Sequence, residues 1–407
     1  MLKTKSAVRI KDFSRTPRGT RAVLWGAFFL YWASLAPFIP FVGLYYESIN
    51  LNGGQIGQLG SIRSLVSLAS SILLAFLSDV LRRRKLIMRA CILGMIAALL
   101  IFPRAASFAT LLPIVMLYSI FLSPTNAILD ETTLRSLDNP RDYSKVRLGG
   151  SVGWGILVFI TGWLLDNATV SLAIIFNLHI FLLILLLAFS WLLPETEGAP
   201  GVRAKKASLK DMWEMLRLPA FLPWMGIIFL WGVAVSSIVN FSFLHIKHIG
   251  GGTSLMGIAM SVSILGEIAG FAAAKRIQHK VGSRMMMALA FATHVIWFTA
   301  VSLIKQPASI LFYQVLGGAG FSLLHAGSVA YVDLRAPGRI GTTAQAVRSA
   351  IQFGLGGGVG ALISGAIYQA YGSAALYRVM AVISLIAFSL ALLLRSIERS
   401  RAKSAAQ

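Results

Sequence analysis

Apolar runs of roughly 20 residues recur from end to end of this chain, and the stretches between them alternate between strongly basic and nearly uncharged. A helix of about 20 apolar residues crosses the ~30 Å hydrocarbon core of a bilayer. In lipid, only helices and closed barrels satisfy every backbone polar group, and runs of this length select helices. Composition agrees: 57% of residues are hydrophobic and 13% charged, against about 25% charged in soluble domains. The expected fold class is an all-α polytopic membrane protein.

Twelve spans are expected, at 22–46, 54–78, 86–104, 107–129, 147–165, 168–193, 219–246, 253–275, 284–304, 308–333, 341–370 and 372–395. Basic residues gather before Arg21, at Arg82–Lys85, between Arg135 and Arg147, between Arg203 and Arg217, at Lys275–Arg284, at Arg335 and Arg339, and after Arg395. The alternate loops contribute Arg104, Lys247 and Lys305. The positive-inside rule places the basic set in the cytoplasm. Both termini are then cytoplasmic, as an even number of spans requires, in a multi-pass protein of the cytoplasmic (inner) membrane. The basic segment before Trp25 reads as a retained tail, since no small-residue cleavage site follows it. A Pro- and Gly-opened connection divides the chain into an N-terminal six-helix bundle (1–193), a cytoplasmic linker (194–218) and a C-terminal six-helix bundle (219–407). Each half carries a basic loop after its second span, "SDVLRRRK" and "AKRIQHKVGSR", the echo expected of a transporter built from repeats.

The totals exclude several classes. A net charge of +22 in a soluble chain would point to nucleic acid, but here it is dispersed over alternate loops, so no nucleic-acid partner is expected. The single cysteine, Cys91, lies inside a span, which leaves no disulfide framework and no cysteine-based metal site. No nucleophile–base set, metal-spaced ligand group or phosphate-binding glycine loop is present, so an enzyme, a cofactor and ATP coupling are not expected.

Charges inside the spans carry the functional reading, because one at mid-bilayer costs about 2.5–3.5 kcal/mol unless it faces a cavity or a partner. Arg147, Ser151 and Trp154 share a helix face at i, i+4 and i+7, and Asp130 and Glu131 close the preceding span. Arg147 could bind a solute and Trp154 stack on it; alternatively these are boundary charges and a packing ring. For Glu131 the boundary role is favoured. Arg63 is a cavity arginine or half of a structural ion pair. Gln345, Arg348 and Gln352 form a polar stripe on the eleventh span that suits a watery path. Glu267, deep in the eighth span, is the candidate proton carrier, its alternative being a permanent pair with Arg348. His325, on the tenth span, either shares that role or is a packing histidine. His294 reads as part of the scaffold, and Tyr31 and Asn240 are weaker cavity candidates.

Twelve spans, a central linker and the loop after the second span resemble the major facilitator superfamily. Asp79, Arg83 and Arg84 match the superfamily's loop pattern, while Ala75 and Arg82 stand where glycines are usual. "YSKVRLGGSVGWG" (Tyr143 to Gly155) is similar to the fifth helix of the lactose permease, phenylpropionate and nucleoside proton symporter branch. That resemblance implies solute binding by Arg147, paired with a carboxylate such as Asp130 or Glu131, and ring stacking by Trp154. "GGAGFSLLHAGSVAYVDLRAPGRIGTTAQA" and "FGLGGGVGALISGAIYQAYG" resemble the tenth and eleventh helices of the phenylpropionate branch. The acidic and basic coupling cluster of lactose permease is missing. The glycines of the fifth and eleventh spans permit close helix contact, which the superfamily makes with the eighth and second helices.

The expected function is proton-coupled symport of a small organic solute (sugar, nucleoside or aromatic acid) by alternating access around a site between the halves. A proton-driven exporter of drugs or metabolites and a non-transporting assembly or regulatory protein remain as alternatives. The expected partners are the solute, protons and the lipid bilayer, with the chain acting as a monomer.

Overall fold

A computed structural model describes residues 16–81, 83–137, 142–194, 221–335 and 341–404, without the side chains of 75, 76, 78–81, 341–343, 399 and 401–404. The described residues form helices α1 (Pro17–Leu35), α2 (Val42–Ser48), α3 (Gly53–Leu81), α4 (Arg84–Ile101), α5 (Phe108–Ser136), α6 (Tyr143–Leu165) and α7 (Ile174–Phe189). They continue with α8 (Phe221–His248), α9 (Thr253–Leu303), α10 (Ile310–Arg335) and α11 (Gly341–Ser349). A π-helical segment (Ala350–Gly356) then leads into α12 (Gly357–Ser404).

Local chemistry sets several boundaries. Thr16 caps α1 by accepting from the Gly19 amide at 3.0 Å, with Pro17 at the first helical position, where its missing N–H costs nothing. Ser107 and Thr110 form a reciprocal capping box at the start of α5, satisfying two otherwise orphaned donors. The proline-bearing first span breaks at 36–41 into α1 and α2 instead of bending as one helix. Helices α9 and α12 each turn once at a glycine, Gly282 and Gly372, both at φ +80°, a left-handed conformation that only glycine adopts cheaply. Residues 275–281, expected as loop, continue α9 up to that turn.

Eight helices among the described residues are long and apolar enough to cross a membrane. At 51 residues, α9 is about 77 Å long, more than twice the ~30 Å needed, and α12 likewise holds two crossings. With both halves of these, the shorter α7 and the first helix, the expected twelve segments are present.

By internal contact the chain forms two units, one of residues 1–51 and 66–202, the other of 52–65 and 203–407. The first part of α3 thus groups with the second unit. Linker residues 195–218 lie outside the described set.

In the first unit, α6 packs on α1 through glycine. A Cβ at Gly149 would meet the Trp25 carbonyl at 2.6 Å, and one at Gly153 would strike that of Phe29. The fifth-span glycines singled out in the sequence therefore serve a contact with the first helix. An aromatic core of Phe38, Tyr45, Phe102, Tyr118 and Phe176 fills the space beside α7. His179 donates or accepts at 3.0 Å with the Tyr118 hydroxyl and stacks on Phe38. Arg89, a charge within the third span, bonds Ser190 at 2.9 Å and lies 4.0 Å over Trp191, so it serves packing.

In the second unit, α9 and α10 cross where Gly266, Gly270 and Gly318 admit the opposing backbone. The eleventh span uses two glycine faces. Gly356 and Gly360 meet α8 at Phe229 and Val233, while Gly357 and Gly358 meet Ser64 and Leu65 of α3. The expected contact of second and eleventh spans is thus present in this unit.

These approaches leave no room for a side chain, so Gly153→Val should cost about 1–3 kcal/mol through overpacking. The control is Gly226→Ala on α8, where a Cβ meets nothing within 4 Å and no loss is expected. Thermal unfolding of the detergent-solubilised variants distinguishes the two.

Candidate functional site

Arg147 sits one turn into α6, half-buried, and two rings of α1 receive it. Its guanidinium lies 4.5 Å over Trp32 and 5.4 Å from the Phe28 ring centre. Phe28 and Trp32 are four residues apart, hence neighbours on one helix face. Gly150 makes room for the arrangement, since a Cβ there would press on both Trp32 and the Arg147 guanidinium. Trp154 meets Trp32 edge-on at 5.9 Å. The result is an aromatic and cationic patch of Trp32, Trp154 and Arg147, suited to the face of a flat ring and to negative charge. Ser151 lies half-buried on the same helix.

The two carboxylates closing the fourth span part company. Asp130 accepts from the Tyr143 hydroxyl at 2.7 Å and from the Asn126 amide at 3.0 Å. Arg147 acts electrostatically on both Asp130 and Tyr143, and Tyr143 is steadied edge-on by Phe28 at 6.2 Å. Glu131 instead binds Arg84 at 3.1 Å and Arg135 at 2.8 Å. It is a boundary charge, and Asp130 is the carboxylate of the Arg147 cluster. Arg84 thereby ties the loop after the second span to the end of α5. Arg83 is exposed at the start of α4, and the Asp79 side chain lies outside the described set. Asp142, before α6, pairs with Arg21 at 2.9 Å and Lys145 at 3.0 Å. Lys145 and Arg21 hold its carboxyl below the usual carboxylate range.

In the second unit the polar stripe of the eleventh span converges on Arg348, which is 6% exposed. Its guanidinium donates to Gln345 at 2.9 Å, Gln352 at 2.8 Å and Ser328 at 3.3 Å. All of these partners are uncharged. The alternative in which Arg348 pairs with Glu267 is not what the described contacts show. Gln345 is anchored in turn by donating to the Val329 carbonyl at 2.9 Å. Gln352 falls in the π-helical segment, a feature that often marks functional sites. Gly232 of α8 accommodates the widened turn, because a Cβ there would strike the Gln352 carbonyl. The Gln352 side-chain nitrogen is fully buried and hydrogen-bonds to nothing among the described residues.

Arg63 donates to Asn240 at 2.9 Å, and Asn240 donates to the Ser236 carbonyl at 2.8 Å. Glu267 is half-buried on α9 beside the glycine crossing, its amide 2.8 Å from where a Cβ on Gly318 would stand. His325 lies among rings: Phe321 stacks on it at 6.1 Å, and Phe271, one turn beyond Glu267, meets it edge-on at 6.1 Å. His294 is buried in packing, bonded at 2.8 Å to the Ala290 carbonyl. Tyr31 is likewise taken up in packing, donating to the Leu122 carbonyl at 3.2 Å. No three potential metal-ligating His, Cys, Asp or Glu side chains gather among the described residues.

A family model described as the MFS_1 like family matches residues 22–379. The chain belongs to this family of major facilitator superfamily transporters. The maltose permease of Geobacillus stearothermophilus is 25% identical over 397 residues, covering 93% of this chain and 98% of the permease. The probable 3-phenylpropionic acid transporter of Escherichia coli K12 is 24% identical, covering 88% and 93%. Among solved structures, a point mutant of the nucleoside transporter NupG superposes with a TM-score of 0.79 at 16% identity, over 92% of this chain and 97% of that one. A bacterial homologue of the human lysosomal transporter Spinster gives 0.72 at 15% identity, covering 94% and 97%. These likenesses establish the fold of this facilitator.

Sequence reasoning passed over Trp32, Phe28 and Ser328 as site residues. The i, i+4 aromatic pair on the first span was the available signal for the first two; Ser328 carried none. A double-mutant cycle tests the stacking in this facilitator. Arg147→Ala and Trp32→Ala should show a coupling of about 0.5–2 kcal/mol in thermal stability, and additive effects would refute the contact.

Proposed function

We propose that this facilitator is a proton-coupled secondary transporter that imports a small organic solute bearing an anionic group. It works by alternating access in the cytoplasmic membrane, with both termini in the cytoplasm. The observation that carries the reading is the buried Arg348, surrounded by Gln345, Gln352 and Ser328. A guanidinium taken out of water without a carboxylate is costly, and amide and hydroxyl partners offset only part of that cost. An anionic solute arriving there would supply the missing countercharge through a charge-assisted hydrogen bond.

Within the first unit, Trp32 and Trp154 offer aromatic faces beside the Arg147 guanidinium, a candidate for ring recognition. Within the classes considered (sugar, nucleoside and aromatic acid), this combination favours an aromatic acid. One relative is named as a probable 3-phenylpropionic acid transporter and another as a maltose permease, so both kinds of solute occur among relatives. Asp130 positions Tyr143 and Asn126 and balances Arg147; within the second unit, Arg63 with Asn240 is a further polar pair open to a solute role. In this reading Glu267 carries the proton and His325 assists. A carboxylate removed from water takes up a proton more readily, and a glycine crossing lets the helix bearing Glu267 shift without losing contact.

Uptake into proteoliposomes is the test. Symport of a monoanion with one proton moves no net charge, so the pH gradient is the drive, and each pH unit is worth about 1.4 kcal/mol, or about tenfold accumulation. An aromatic acid should accumulate when an inward proton gradient is imposed, and sodium should not replace the proton. Glu267→Gln should abolish gradient-driven accumulation while sparing exchange of labelled for unlabelled solute. Accumulation that ignores the proton gradient, or survives Glu267→Gln, would sink the coupling assignment.

A further inference from the structure

A line of hydrogen bonds in the second unit joins Arg63 on α3 to the backbone beside Arg348. The Arg63 guanidinium donates to the Asn240 side-chain oxygen at 2.9 Å. The Asn240 amide donates to the Ser236 hydroxyl at 3.2 Å and to the Ser236 carbonyl at 2.8 Å. That hydroxyl donates in turn to the Gly357 carbonyl at 2.9 Å. The Gly357 amide donates to the Gln352 carbonyl, an i, i+5 bond that closes the π-helical turn. The Gln352 side chain then accepts from Arg348 at 2.8 Å. From Arg63 to Gly357 every donor points the same way, so each bond polarises the next.

The packing is cut to fit this line. A Cβ on Gly60 of α3 would lie 2.7 Å from the Asn240 side-chain oxygen, so glycine gives Asn240 its place. A Cβ on Gly357 would lie 3.2 Å from the Ser64 hydroxyl, so α3 also borders the peptide that Ser236 holds. On α8, Gly232 faces the Gln352 carbonyl one turn before Ser236. Ser236 is itself buried, where a hydrogen bond weighs more than at a wet surface.

We propose that Ser236 and Asn240 are positioning residues of the Arg348 site, which hold the π-helical turn that aims Arg348 at Ser328. A π turn is a local departure from an otherwise α-helical run. An α-helix advances about 100° per residue, so reversion of the turn by one residue would swing Arg348 through about that angle, away from Ser328 on α10. Ser236 supplies the hold at Gly357, just past the turn, and Gly232 supplies the room. Arg63 makes the position of α3 part of the same hold. The role at a solute site rests on the reading proposed above; the hold on the turn does not.

The test is hydrogen–deuterium exchange of the full chain in detergent, read by mass spectrometry over residues 350–357. On the same variants, the affinities for an aromatic carboxylic acid and for its primary amide are titrated by thermal unfolding. Ser236→Ala removes the donor to Gly357. Asn240→Asp still accepts from Arg63 but cannot donate, and its carboxylate draws the Ser236 hydroxyl away from Gly357. Each variant should speed exchange over 350–357 and lower the preference for acid over amide, both by about fivefold for one lost hydrogen bond. Exchange over residues 286–298 of α9 should stay as in the wild type, which shows that the unit remains folded. Gly226→Ala should match the wild type in every readout. Unchanged exchange over 350–357 in both variants overturns the hold on the turn. Faster exchange with an undiminished acid preference overturns the positioning role. A wild type that ignores the acid, with exchange faster in the variants, overturns the solute reading while the hold on the turn stands.

Discussion

A guanidinium withdrawn from water has to be solvated by the protein, and two arginines of this facilitator meet that demand in different ways. Arg147 is covered by aromatic faces, Trp32 at 4.5 Å and Phe28 at 5.4 Å, with the Asp130 carboxylate in its field. Arg348 is held by two glutamines and a serine. The surrounding architecture serves these placements. Gly150 admits Trp32 over Arg147, and Gly232 admits the widened turn that carries Gln352.

In the proposed reading, the surroundings of Arg348 balance stability against solute binding. A carboxylate beside Arg348 would stabilise the charge but leave nothing for a solute to supply. Glutamine and serine orient the guanidinium by hydrogen bonds without neutralising it. The boundary arginines show the contrast: Arg84 and Arg135 share Glu131, and Arg284 binds Glu398. Where charge holds a helix end, the chain supplies a carboxylate. The partners that Arg348 bonds among the described residues are uncharged.

Much of this was legible in the sequence because the relevant signals are local. Apolar run length identified twelve crossings, and the i, i+4, i+7 spacing placed Arg147, Ser151 and Trp154 on one face. The i, i+3, i+7 spacing puts Gln345, Arg348 and Gln352 on one face, and there Arg348 bonds both glutamines. What the sequence withheld depends on distant partners or subtle backbone changes. Trp32 reaches Arg147 from more than a hundred positions away, and no local pattern declares that pairing. The π-helical segment arises from one widened turn that Gly232 accommodates from another helix. Asp130 and Glu131 are adjacent and chemically alike, and only the positions of Tyr143 on one side and Arg84 and Arg135 on the other separate their roles. The basic stretch 275–281 resembled a loop by charge, yet it contains no breaker before Gly282 and remains helical.

Arg348, buried and bonded to uncharged partners, is proposed to await an anionic solute. The most direct measurement is the thermal unfolding of the purified protein in the presence of an aromatic carboxylic acid and of its uncharged primary amide. The acid should raise the unfolding temperature of the wild type and the amide should not, and the difference should vanish in Arg348→Gln. Equal shifts from acid and amide, or an undiminished acid shift in Arg348→Gln, would contradict it.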